Sequence, residues 1–218
     1  MSSALRGRAR RRLGLLTAVL VGAAPGLNAQ ALAVQGLAAH STHPLVGNLL
    51  GGEVVFRVPL AAEVVTLQAG VARLGGTSTQ FTSTCHGFIF QDHCEPEPVA
   101  GDAHLTNGSL ALGVRLAGGP RAELRVLGGL RLAQVHVAWR GLSTGRDYAG
   151  DRTWWGVDIG LEGTLAPWRR LPIGLQVSGG ISRLQPFQTY FVADGYTPLV
   201  ASSTLATVRV GFVWHTAR

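Results

Sequence analysis

The chain has 218 residues, 46% of them hydrophobic and only 14% charged, with 30 glycines, 10 prolines, two cysteines and five tryptophans. That length fits one ordinary domain or one barrel, and so much apolar content beside so little charge excludes a disordered tail or a long solvated coiled coil. The formal charge is +7, from 19 basic residues, all arginine, against 12 acidic ones; it marks a nucleic-acid binder only if the arginines cluster on a folded surface.

They cluster at the start instead. Arg6, Arg8, Arg10, Arg11 and Arg12 precede an apolar stretch from Leu13 to Ala24, then Pro25 and the small-residue site Leu27-Asn28-Ala29. This is the layout of a secretory signal: a positive end, a short apolar segment, a helix breaker and a cleavage site. Residues 1–29 are therefore expected to be a signal peptide cut after Ala29, with Ala31-Leu32-Ala33 as the competing site. Arg11-Arg12 lacks the surroundings of a twin-arginine signal. Twelve apolar residues also fall short of the roughly 20 that a spanning helix needs. Cleavage leaves 14 arginines against 12 acidic residues, a charge of only +2, so no nucleic-acid partner is expected.

Residues 30–218 contain no apolar run long enough for a membrane helix. Period-two alternation recurs instead over segments of about ten residues, the signature of strands with unlike faces. In chain order the predicted strands are 31–39, 50–58, 64–74, 107–117, 121–138, 153–165, 172–184 and 203–214. Leu110, Leu112, Val114 and Leu116 alternate with small or charged residues, as do Trp155, Val157, Ile159 and Leu161, and Val208, Val210, Phe212 and Trp214. Three strand–turn–strand units begin at Gly51, Leu110 and Gly156, with brief Pro- or Gly-rich turns at 59–63, 118–120 and 166–171. Loops are expected at 40–49, 75–106, 140–152 and 185–202.

Two features favour a membrane barrel over a soluble one. A strand-built span must close so that no backbone group is left unpaired in lipid, and bacterial barrels do so with even strand numbers from eight upward. The tryptophans lie at strand ends: Trp139, Trp154 and Trp155 at the long-loop side, Trp168 and Trp214 at the short-turn or terminal side. Two aromatic girdles at the two interfaces are expected from that placement.

With its signal, its hairpin turns such as VPLAAE and LAPWRR, and its closing strand TLATVRVGFVW, the chain resembles the small eight-stranded outer-membrane barrels of Gram-negative bacteria, the OmpA/OmpX-like or porin-like family, over about residues 30–214. The resemblance implies an all-β, antiparallel, up-and-down transmembrane barrel in the outer membrane, surrounded by lipid and lipopolysaccharide and inserted by the barrel assembly machinery. Such barrels usually finish on an aromatic residue, whereas here His215-Thr216-Ala217-Arg218 follow Trp214.

The alternation sends Glu53, Glu123, Asp158 and Glu162 to the interior together with Arg57, Arg115, Arg125, Arg131 and Arg209. Eight strands enclose a space that side chains just fill. A salt-bridged lumen that fixes the barrel is therefore the expected reading, with a selective small-solute path as the alternative. Cys85 and Cys94, in CHGFIFQDHC of the longest loop, read as a disulfide in an exported protein. A metal site from Cys85, His86, His93 and Cys94, beside Asp92, Glu95 and Glu97, matches no common zinc spacing, and neither metal nor cofactor is expected. The same loop is acidic through Asp92, Glu95, Glu97 and Asp102, whereas 140–152 holds Arg140, Arg146 and Arg152 beside two aspartates. Such loops suit surface interaction, although the extracellular partner is not legible.

His104 with Ser109 and Asp102, and His136 with Ser143 and Asp147, have the residue types of a hydrolytic site without its motif. The expectation is a non-enzymatic outer-membrane barrel. A lipid A-modifying enzyme and a secreted lipocalin-type barrel, its apolar face turned inward, are the further alternatives.

Overall fold

A computed structural model describes residues 31–43, 46–61, 64–86, 93–119, 121–145, 147–166, 171–186 and 202–215, with the backbone alone at 61, 78–86, 93–97 and 148. The expected signal at 1–29 and Trp168 lie outside the described residues.

Eight strands run β1 (Ala31–Ser41), β2 (Asn48–Ala61), β3 (Val65–His86), β4 (His93–Gly118), β5 (Ala122–Gly141), β6 (Asp147–Leu165), β7 (Ile173–Pro186) and β8 (Ser203–His215). Each pairs antiparallel with its neighbours in sequence, and β1 pairs with β8, so the sheet closes into a barrel. Following the register once round, from Thr153 through Gln134, Thr106, Arg73, Gly52, Gly36, Val210 and Val177, returns to β6 at Gly163. That offset of ten residues over eight strands, at about 3.3 Å per residue and about 4.8 Å between strands, tilts the strands by roughly 40°.

The outer surface carries an apolar band that includes Leu110, Leu112, Val114, Val157, Ile159, Leu161, Val208 and Val210. On β6 the outward positions span Trp155 to Leu165, about 33 Å along the strand and roughly 25 Å along the axis, the height of a lipid-facing band.

The strands on one side are much longer than the alternation predicts. Pairing of β2 with β3 ends at Leu50–Gly75 and that of β6 with β7 at Trp154–Pro186. Among the described residues only β3 to β6 continue beyond those points, and beyond Val99–Gly141 only β3 and β4, up to His86–His93. Most of the expected loops 75–106 and 140–152 is therefore ladder, and the β3–β4 arm rises roughly 30 Å past the band. Alternation vanishes there because no lipid imposes it, but the Thr-rich run at 77–84 keeps strand propensity.

Pro96 and Pro98 fit this arm without loss. Leu142 N donates to the Pro98 carbonyl, so Pro98 turns its nitrogen towards β5 rather than into the β3–β4 ladder, and Pro96 shares that parity.

Candidate functional site, a two-tiered lumen

In the half nearer the short turns, the interior is polar and charged. Arg57 pairs with Glu162 at 2.7 Å and donates to Gln176 Oε1 at 3.3 Å. Gln176 and Gln68 in turn donate to Glu162, at 2.6 and 3.5 Å. Arg125 pairs with Glu123 at 2.5 Å and donates to Thr66 Oγ1 at 2.9 Å. One level up, Arg131 pairs with Asp158 and Arg209 with Glu53, both at 2.5 Å, and Arg209 lies 4.0 Å from Asp158, which also accepts from Ser182. Arg115 stands at the mouth, part-exposed and 3.9 Å from Glu123.

Inward glycines make room for these groups: a Cβ on Gly70 would lie 2.8 Å from Ser109 Oγ and 3.2 Å from a Glu53 oxygen. Four buried or half-buried carboxylates face four buried guanidiniums in a space closed to lipid, where each ion has a counter-charge within reach.

Towards the long-loop end the interior changes character. Leu37, Leu49, Leu74, Leu105, Val135, Val137, Leu184 and Leu205 form one buried apolar cluster with Ala72, Ala103 and Ala133, and Trp139 and Trp154 belong to it. The segment after β1 folds over this cluster. The His43 ring rests against Trp154 at a centroid distance of 5.5 Å, the His43 backbone N donates to Ser41 Oγ and Ser203 Oγ, and Val46 is buried. Asn107 lies at the boundary between the tiers, buried, with neither amide atom bonded to the protein.

The sequence reading missed this apolar tier, and its placement of two girdle tryptophans is corrected by it. Trp139 and Trp154 are only 3% and 1% exposed and point inward, whereas Trp155 (45%) and Trp214 (52%) face outward at opposite ends of the apolar band. A strand-end position fixes the height of a residue but not its face, and parity fixes the face: Trp154 and Trp155 are adjacent and therefore opposed.

The signal for the upper tier is an inversion of phase. On β5, Leu130 and Leu132 face out while Arg131 faces in; two residues further, Gln134 and His136 face out while Val135 and Val137 face in. The apolar face crosses from outside to inside where the strand leaves the band. A polar rim marks that crossing. His40 Nδ1 lies 2.7 Å from Asn48 Oδ1, His136 Nδ1 lies 2.7 Å from Asp151 Oδ1, and the outward Arg183 donates to Thr204 and Ser202.

The hydrolytic groupings do not assemble. His104 and Asp102 are on the outer face, while Ser109, of opposite parity, lines the lumen beside Arg131. His136 engages Asp151 rather than Asp147. Among the described residues no group of three or more His, Cys, Asp or Glu is placed to hold a metal ion. Cys85 is the register partner of Cys94. An apolar band outside and ion pairs inside is the reverse of a lipocalin-type barrel, whose apolar face surrounds its ligand.

No protein-family model matches the chain, and no curated protein matches it. Solved structures do. Ail, the attachment invasion locus protein of Yersinia pestis, matches at a TM-score of 0.52 and 9% identity, over 86% of this chain and 98% of Ail. A major outer membrane protein from Thermus thermophilus matches at 0.51 and 12% identity, over 85% of this chain and 99% of that one. At such identities the likeness is one of fold: the chain has the architecture of a small, eight-stranded outer-membrane β-barrel.

Proposed function

We propose that the protein resides in the outer membrane as a closed, non-conducting barrel and works through the surface that β3 to β6 raise outside the cell, in a structural or surface-interaction role. The observation that carries this reading is the apolar tier. Leu49, Leu74, Leu105, Val135, Trp154, Leu184 and Leu205 come from seven of the eight strands and meet across the lumen, so a hydrated ion moving through the charged tier meets a dry stopper.

The band requires lipid around it, with lipopolysaccharide outermost, and the chain would depend on the barrel assembly machinery for insertion. Its proposed role is not catalytic: the serines, histidines and aspartates of the outer rim lie on different faces or engage other partners.

Planar-bilayer recording of the refolded protein tests the closed lumen. The expected result is no unitary conductance, and discrete steps from the unmodified protein would favour the small-solute channel instead. Band-shifted migration in SDS without boiling tests the membrane barrel, and unchanged lipid A mass spectra on expression test the non-enzymatic reading.

A further inference from the structure

Arg57, Arg125, Arg131 and Arg209 each have a carboxylate within reach inside the lumen. Arg183, on the outer face of β7, is held by hydroxyls instead. Its terminal nitrogens donate to Thr204 Oγ1 at 3.1 Å and to Ser202 Oγ at 3.0 Å. Thr204 is fixed in turn by the residue after β1: its backbone N donates to Thr42 Oγ1, and Thr42 N donates to the Thr204 carbonyl, both at 2.9 Å. A guanidinium carries five N–H donors in a planar fork. Two are used here, so three remain, and each hydroxyl keeps a hydrogen of its own to donate.

The register shows what surrounds this group. Across β6 the partner of Arg183 is Val157, with Trp155 and Ile159 at the diagonal positions; across β8 it is Thr204, with Ala206 next along. The outward neighbours on β7 are Ile181 and Gln185. None of these is acidic. Asp151, the next outward carboxylate up β6, stands six residues beyond Val157, about 20 Å along the strand, and is engaged by His136.

The height of the site is as informative as its charge. Val157, Ile159 and Ile181 on one side of it are exposed members of the apolar band, whereas Ser202 and Thr42 on the other are polar. Arg183 therefore stands where acyl chains give way to headgroups, beside the outward ring of Trp155. A cation facing hydrocarbon is costly, and a long side chain relieves that cost by carrying its charge to the interface. Snorkelling alone requires no fixed geometry, however, and this fork is anchored at two nitrogens.

We propose that Arg183, Ser202 and Thr204 bind a phosphate group of the outer-leaflet glycolipid, whose acyl chains then lie along Val157, Ile159 and Ile181. The inference rests on the outer-membrane reading above, which turns the long-strand end of the band to the outer leaflet. A phosphate accepts two parallel N–H bonds from one guanidinium. The neighbouring hydroxyls add donors, and no nearby carboxylate repels the anion. Anchoring the fork beforehand lowers the ordering cost of binding.

The test titrates diphosphorylated lipid A alone into the full chain, refolded in zwitterionic detergent, and counts bound lipid by native mass spectrometry. The expected result is one saturable lipid per chain, weakened about tenfold in Arg183→Gln and less in Ser202→Ala/Thr204→Val. Arg183→Lys should recover only part of the loss, because an ammonium cannot form the bidentate pair. Arg121→Gln, which removes an exposed arginine from the short turn between β4 and β5, should leave the affinity unchanged. Lipid A stripped of its phosphates should bind the unmodified protein and Arg183→Gln alike. Equal affinity of diphosphorylated lipid A for those two proteins, or an equal loss in Arg121→Gln, would overturn the proposal. Phosphatidylglycerol bound as tightly, with the same dependence on Arg183, would overturn the assignment to the glycolipid. Heat-modifiable migration of every variant separates the two levels: its absence defeats the membrane barrel itself, and its presence with Arg183-independent binding defeats only the site.

Discussion

The lower and upper halves of the same eight strands solve opposite problems. Below the crossing, the outside is hydrocarbon, and an apolar interior gains little because lipid tails are as apolar as leucine. The inward positions there are free to carry charge, and Arg57, Arg125, Arg131 and Arg209 pair across the lumen with Glu162, Glu123, Asp158 and Glu53. Above the crossing the outside is water, so burying Leu105 or Leu184 contributes about 1.5–3 kcal/mol each, as it would in a soluble barrel. The hydrophobic effect thus acts radially outward in one tier and radially inward in the other. The inversion of phase on each strand is the record of where water replaces lipid.

The largest expected effects come from opening either tier. Trp154→Ala, at 1% exposure in the middle of the apolar tier, is expected to cost about 3–5 kcal/mol. Glu162→Ala, which leaves Arg57 buried without its counter-charge, is expected to cost a similar 3–5 kcal/mol or so. Reversible unfolding in denaturant and micelles measures both. The tiers then part company in the repair. Glu162→Leu combined with Arg57→Met is expected to restore most of the loss, because an apolar pair of similar volume removes two desolvated charges. No polar pair placed at Trp154 and its neighbours should do the same.

Ile159 and Thr153 both point outward on β6, Ile159 in the middle of the band and Thr153 just above it. Ile159→Arg is expected to destabilise by about 2–4 kcal/mol and Thr153→Arg by no more than about 1 kcal/mol. Equal costs would mean that the crossing lies elsewhere. A large cost at Thr153 with a small one at Ile159 would move the lipid-facing band to the long-strand end of the barrel.

The sequence carried the lower tier well because lipid enforces strict alternation. Leu110, Leu112, Val114 and Leu116 on β4 and Leu130 and Leu132 on β5 announce their face, and Arg115 and Arg131, at the odd positions between them, must lie opposite. The same alternation hides the upper tier. Val135 and Val137 alternate just as regularly, but in the other phase, and a search for one continuous phase stops at Leu132. Trp154 shows the limit in a single residue: its strand-end position suits an interfacial girdle, and only its neighbour Trp155, which takes the outer face, reveals that it points inward. The long arm was invisible for a different reason. Its ladder lies beyond the apolar band, where no lipid demands an apolar outer face, and Cys85 opposite Cys94 was its strongest pairing cue. That cue was available, since a disulfide between two residues nine apart is as compatible with a hairpin as with a loop.

The smallest expected effect concerns the seam between the tiers. Asn107 faces inward between Ala72 and Ala133, its register partners, with the apolar cluster above and Ser109 and Arg131 one row below. Neither of its amide atoms bonds to the protein, and a buried polar group without a partner costs about 1–3 kcal/mol. Asn107→Leu is therefore expected to stabilise the barrel by about 1 kcal/mol, extending the apolar tier downward by one row; the gain stays at the low end because a leucine there must pack against Arg131. Asn107→Asp should have the opposite sign and a larger size, since it adds an unpaired charge at the edge of a dry core. If Asn107→Leu instead destabilises the protein, the asparagine is already satisfied by water held at the seam, and the polar tier reaches one row higher than the ion pairs alone indicate.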